Sequence, residues 1–346
     1  MKNVFYFKSF NSAGGVESWL YYISKLYKNI VVYYKEGNAE QIKRLAKNVE
    51  VHKHKENEII ECDNFFCSYN PDILDNVHAK MYANIIHCDY KQMWFRPIMS
   101  EKFNKYIAVS KLAGDSFKEL TGVDYELIYN PIKIDMPKVE KYNDGKLHLI
   151  SCTRLSKEKG LKRMQKLAYL LDKNHIDYEW IVYTNRHREG IGQKVIYKDP
   201  KLDIIEDIAK ADYLVQLSDC EAFCYSVVEA LTVGTKVICT DLPVFKELGL
   251  NENNAIICDM EMKNIDVSKL KKDYEPIKYK PPKSEWNKYL DNNTTYDPKE
   301  LIEVRTKRRL WDIETDIHHS KNDIFKTSKE RASYLECLDF VEVLWN

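Results

Sequence analysis

The chain has 346 residues, 44% of them hydrophobic and 31% charged, which fits a soluble protein able to fill two ordinary domain cores. Lysine plus arginine equals aspartate plus glutamate at 53 each, so no overall field recruits a polyanion; this argues against a nucleic-acid binder, although it leaves room for a local basic cleft. No run approaches the ~20 apolar residues of a membrane span. The start MKNVFYFKSF is broken by Lys8, and nine scattered cysteines form no Cys-any-any-Cys pair. The expectation is a cytoplasmic protein with reduced, packed thiols, touching at most the inner membrane face from outside the bilayer.

The first strand is predicted at Asn3–Phe7. A loop with Gly14-Gly15 follows, and a helix opens near Val16 with Val16, Leu20, Ile23 and Tyr27 on one face. Trp19, Tyr21, Tyr22 and Tyr27 at helical spacing read as core and interdomain packing. Further strands are expected at 30–34, 49–52, 64–67, 82–87, 106–109 and 126–129, with helices at 39–47 and 111–120. Alternation of short apolar strands with helices implies parallel strands joined by right-handed crossovers. Asn130-Pro131 interrupts the pattern, and the aperiodic polar stretch 132–145 reads as a linker.

The alternation restarts at 147–152, with strands at 178–183, 194–197, 213–216, 236–239 and 255–258 and helices at 161–173, 204–210, 225–232 and 243–248. A closing helix is expected near 284–290. The fold class is therefore α/β, with two doubly wound Rossmann-like units, 1–131 and 146–290; the family resemblance given below implies that they face each other across a central cleft. Residues 296–346 read as a small β-rich appendage, with short strands near 301–305, 310–311 and 341–344 and a helix from Ser328, its N-cap. Too small to be stable alone, it is expected to dock on another part of the protein.

The most specific chemical signal is the run Ser218 to Ala230, SDCEAFCYSVVEA, which follows one strand and opens a helix. Glu221 lies in the loop and Glu229 in the helix, with Ala222, Phe223, Cys224, Tyr225 and Ser226 between them. Amides at a helix start face a bound anion, and carboxylates there can grip vicinal hydroxyls, a pairing suited to a sugar nucleotide. Cys220 and Cys224 have no further Cys or His nearby and read as packing residues. This run resembles the Glu-seven residues-Glu hallmark of the retaining glycosyltransferases of the GT-B fold, glycosyltransferase family 4 of the "glycosyl transferases group 1" type. Where that family often has Gly-Phe-Gly, this chain has Ala222, Phe223 and Cys224, a less permissive backbone.

Three further segments carry the resemblance in order. Arg154 and Lys159, in Thr153–Gly160 after the strand 147–152, match the basic pair that in this family neutralises the leaving diphosphate; fixed cations suit a leaving group that gains charge. Gly14-Gly15 resembles the N-terminal glycine loop that approaches donor phosphate and acceptor. His87, closing a strand, matches a histidine near the transferred sugar. The resemblance covers residues 1–290. It implies retaining transfer from a nucleoside-diphosphate sugar, a UDP-sugar by preference, with no cofactor. The chain contains no Asp-any-Asp, so no metal is expected and the basic pair substitutes. The donor's base is expected near Tyr197 and Lys198. Lys91, Trp94 and Arg96 mix charge and aromatic faces suited to an acceptor. The acceptor stays open between a surface glycan, a protein, a small molecule and a modified DNA base. Lys326–Val343 resembles small modules at the ends of some bacteriophage-encoded proteins. The alternative reading is a catalytically silent GT-B-like binding module. The absence of Gly-any-Gly-any-any-Gly after either first strand speaks against a nicotinamide enzyme.

Overall fold

The computed structural model describes residues 2–11, 14–69, 71–185, 190–272, 277–291 and 295–344. The first half runs β1 (Asn3–Phe10), α1 (Gly15–Leu26), β2 (Ile30–Gly37), α2 (Ala39–Ala46), β3 (Glu50–Lys53), β4 (Ile60–Ser68), β5 (Val77–Ile86), β6 (Lys105–Ala108), α3 (Lys111–Thr121) and β7 (Glu126–Leu127). Its seven strands form one sheet in the order β3-β2-β1-β4-β5-β6-β7, and each neighbouring pair is parallel. The second half runs β8 (Leu147–Cys152), α4 (Leu161–Lys173), β9 (Tyr178–Tyr183), β10 (Val195–Lys198), α5 (Ile205–Lys210), β11 (Tyr213–Gln216), α6 (Tyr225–Thr232), β12 (Lys236–Thr240), α7 (Pro243–Glu247) and β13 (Ala255–Cys258). Its sheet, β10-β9-β8-β11-β12-β13, is also parallel throughout.

Both sheets reverse their strand order once, between β1 and β4 and between β8 and β11. At such a switch point the loops after adjacent strands diverge to opposite faces, and the crevice at the strands' carboxyl ends receives ligands. The strands are apolar on both faces because helices cover both, so Val4, Phe5, Phe65, Phe66, Val182 and Leu214 are fully buried.

The two halves meet through specific contacts. The Tyr225 hydroxyl donates to the Pro131 carbonyl at 2.8 Å. The Glu247 carboxylate accepts from the Lys111 and Leu112 amides at 2.5 and 3.1 Å, capping α3 from the other half. The stretch expected as a closing helix instead forms a single 3₁₀ turn at Trp286–Lys288. Its position is set by Trp286, which is buried against Phe5, Trp19 and Phe66, so this segment crosses back onto the first sheet. Tyr289 and Lys288 fasten it to Glu126.

The appendage contains β14 (Leu301–Thr306), β15 (Leu310–Asp312), β16 (Ile317–His319), β17 (Ile324–Ser328), α8 (Lys329–Cys337) and β18 (Val341–Val343), arranged as an antiparallel sheet β17-β14-β18 and a hairpin β15-β16. Ser328 caps α8 by accepting from the Arg331 amide. The appendage docks on the first domain through α8: the Ser333 hydroxyl donates to the Val51 carbonyl, and buried Glu336 accepts from the Lys53 amide. Among the described residues no helix is long and apolar enough to cross a membrane.

Candidate donor site

The second switch point collects the residues singled out by sequence. Arg154 and Lys159 follow β8 and Glu221 follows β11, the two strands that flank the crevice. The Lys159 ammonium lies 2.7 Å from Glu221 Oε1, with side chains 21% and 11% exposed. Burial works against the lysine charge, yet the attraction of Glu221 and its hydrogen bond outweigh it and hold the Lys159 pKa above the ordinary lysine value. The same Oε1 accepts from the Ser218 hydroxyl at 2.7 Å and from Gln216 Nε2 at 3.0 Å. Gln216 also donates to Ser218, so the end of β11 is stitched to the loop after it.

Backbone geometry fixes these two loops against each other. Gly160 has φ +78°, and a Cβ there would lie 1.8 Å from the Leu217 carbonyl oxygen, so the β8 loop touches the end of β11 only because this residue is glycine. Arg163, one turn into α4, donates from Nε to that carbonyl at 2.8 Å and pairs with Asp219. The Asp219 amide in turn donates to the Glu158 carbonyl at 2.8 Å. Arg154 is more exposed and is held by Glu158 at 3.4 Å.

Helix α6 opens at Cys224, whose φ of +70° lies in the left-handed region although the residue is not glycine. No side chain caps this start, nor those of α1 at Gly14 and α4 at Gly160, which leaves amides for an anion. A Cβ on Gly15 would meet nothing within 4 Å, so space lies in front of α1. Phe223 and Tyr225 are buried, their ring centroids 5.1 Å apart. Ala222 and Ser226 are half-buried, and burial pushes the Cys224 thiol up to about 12.

Glu229 is also buried, and its Oε1 accepts from the Tyr22 hydroxyl of α1 at 2.8 Å. Burial raises its pKa; the Tyr22 hydrogen bond and Arg44 oppose that rise. His87 stands edge-on to Trp19 of α1 at 4.9 Å, its Nε2 buried without a partner among the described residues. Burial pushes its pKa down to about 3, so the imidazole is neutral at physiological pH.

The outer groups are more dispersed. The Tyr197 hydroxyl accepts from the Ile191 amide at 2.6 Å, and the Lys198 ammonium lies 5.9 Å from the Tyr183 ring centroid, both at the sheet edge on β10. Lys91, expected on the acceptor side, pairs with both oxygens of Glu119 on α3 at 2.9 Å, and both side chains are exposed. Trp94 is 94% exposed and Arg96 is exposed. Sequence reasoning missed three members of the site. Gln216 could have been flagged as a polar side chain ending a buried strand, whereas Arg163 and Tyr22 reveal themselves only through partners distant in sequence. Among the described residues no group of three or more His, Cys, Asp or Glu side chains could hold a metal ion.

Residues 133–273, which contain Arg154, Lys159, Glu221 and Glu229, match the profile of the family Glycosyl transferases group 1. The matched stretch covers most of the second domain. Solved structures similar to this chain include Anabaena Alr3699/HepE in complex with UDP-glucose, at 17% identity and TM-score 0.59, covering 76% of this chain and 88% of that one. The same protein in complex with UDP and glucose is similar at 17% identity and TM-score 0.59, covering 75% and 86%. A glycosyltransferase from Rickettsia africae follows at 13% identity and TM-score 0.54, covering 75% and 84%. These likenesses establish the fold as GT-B, two Rossmann-like domains facing each other. No curated protein matches the sequence.

Proposed function

We propose that this group 1 glycosyltransferase moves a sugar from a UDP-sugar to an acceptor hydroxyl with retention of configuration and without a metal ion. The observation that carries this reading is the convergence of Lys159, Glu221 and the uncapped start of α6 at the switch point between β8 and β11. Arg154 and Lys159 supply fixed positive charge where the diphosphate leaves, and the amides of Ala222 to Ser226 add partial positive charge. Glu221 addresses the sugar hydroxyls through its second oxygen, and Glu229 addresses the ribose. The neutral His87 orients the sugar as a hydrogen-bonding group rather than as a cation. Tyr197 and Lys198 flank the base, Gly14 and Gly15 approach the phosphates, and Trp94 and Arg96 face the acceptor. As the bond from the sugar's anomeric carbon to the diphosphate oxygen breaks, the acceptor oxygen bonds to the same face and its proton passes to the departing phosphate. The UDP-glucose held by the Anabaena protein supports uracil as the base.

The test is release of UDP from UDP-sugars by the full chain in EDTA, with the anomer of any transferred sugar read by NMR. Lys159→Ala and Arg154→Ala are expected to lower turnover by at least a hundredfold, the scale at which a single preorganised electrostatic contact acts. Undiminished turnover in both variants would refute the assignment of these residues. UDP binding with no turnover across a broad acceptor set would favour the silent binding module.

A further inference from the structure

Helix α1 reaches two candidate donor-site residues, His87 in its own domain and Glu229 in the other. Trp19 meets His87, and one turn later Tyr22 meets Glu229. The Tyr22 ring also stacks on Tyr225 at 5.3 Å and 23°, in the first turn of α6, so the phenol is held from two sides. Its hydroxyl donates to Glu229 Oε1 at 2.8 Å; among the described residues Oε2 accepts no hydrogen bond. A buried carboxylate that has one oxygen pinned by a hydroxyl donor has its second oxygen aimed in a fixed direction.

We propose that Tyr22 is a positioning residue for the donor's ribose: across the domain interface it orients Glu229, so that Oε2 is presented to the ribose hydroxyls. The proposal rests on the reading of the second domain as a nucleotide-sugar site. It also makes α1 a coupling element, since the helix that starts at the open glycine loop sets the geometry of the ribose contact in the other domain. The groups facing Glu229 are Tyr22 on α1, Arg44 on α2, Tyr225 on α6 and Cys152 on β8. Arg44 lies 3.4 Å from the Tyr21 ring centroid, so α2 and α1 together supply the only cation among them. Burial disfavours the carboxylate, while Tyr22 and Arg44 favour it.

The experiment is calorimetric titration of the full chain with UDP and with 2′,3′-dideoxy-UDP, which lacks the ribose hydroxyls, for wild type, Tyr22→Phe and Glu229→Gln. Tyr22→Phe keeps the ring and its stack, and thermal unfolding checks that it is folded. The wild type is expected to prefer UDP, and Tyr22→Phe to lose roughly tenfold of that preference, the scale of one charge-assisted hydrogen bond, with dideoxy binding unchanged. UDP affinity of Tyr22→Phe should also begin to fall at a higher pH on acidification, because Glu229 without its donor protonates earlier. If Glu229→Gln abolishes the preference while Tyr22→Phe retains it with a wild-type pH profile, the positioning role is overturned and the donor site stands. If the wild type itself does not distinguish the two nucleotides, both the proposal and the donor-site reading fail.

Discussion

Replacing Gly160 by alanine separates two penalties that the structure lets one calculate. The residue sits at φ +78°, where an L side chain costs about 1–2 kcal/mol. Its new Cβ would also overlap the Leu217 carbonyl oxygen at 1.8 Å, and forcing such a contact in a packed region costs roughly 1–3 kcal/mol more. Gly122, at the end of α3, is the matched control: its φ is +73° and a Cβ there meets nothing within 4 Å. Gly122→Ala should therefore lose only the backbone part. With roughly 2–3 °C per kcal/mol in a protein of this size, Gly160→Ala should melt about 4–15 °C below wild type and Gly122→Ala about 2–6 °C below. The close approach also has a functional reading. Pushing Leu217 away displaces Ser218 and Glu221, so Gly160→Ala should weaken UDP binding while Gly122→Ala leaves it intact. Differential scanning fluorimetry and calorimetric titration measure the two effects. Equal melting temperatures and equal UDP affinity in the two variants would refute the argument that the loop after β8 is locked onto the end of β11.

Three other outcomes follow from single observations. Cys224 holds φ +70° at the start of α6, so Cys224→Gly should fold with unchanged or higher stability, whereas Cys224→Val should lose about 2 kcal/mol or more, measured by urea unfolding. Trp286→Ala should cost about 3–5 kcal/mol in the same assay, because the ring is fully buried among Phe5, Trp19 and Phe66. His87 has a folded pKa of about 3 against an ordinary 6.5, so the unfolded chain binds a proton that the folded one does not. Its contribution to stability is complete above pH 6.5 and drains away as the pH falls from 6.5 toward 3; His87→Gln should flatten the stability profile across that window.

Much of this fold is legible because its signals are local. The strands Leu147–Cys152, Tyr178–Tyr183, Tyr213–Gln216 and Ala255–Cys258 fall where short apolar runs sit between helical periods, since two-sided burial leaves little else a strand could contain. β16 and β17 were not legible: Ile317–His319 and Ile324–Ser328 are short, partly exposed strands without a clean period. The stretch around Trp286 was misread for a different reason, because its shape follows from a tertiary destination in the first domain's core rather than from periodicity. In the site, Arg154, Lys159 and Glu221 stand out in sequence since they lie in loops that follow a strand and lead into a helix, and Glu229 stands out by its spacing from Glu221 within that helix. Their supports do not. Tyr22 and Glu229 are separated by 207 positions, and only the folded interface brings α1 onto α6. The Lys91–Glu119 pair likewise joins positions 28 residues apart, which no local pattern announces.

The crevice between β8 and β11 is expected to bind a nucleoside diphosphate through Lys159, Glu221 and Glu229. Calorimetric titration of the full chain in EDTA with UDP, GDP, ADP and CDP, wild type beside Lys159→Ala, tests it most directly. A single saturable site that prefers UDP and is weakened in Lys159→Ala is expected; heats indistinguishable from buffer for all four nucleotides, or equal binding by wild type and variant, would rule out this donor site.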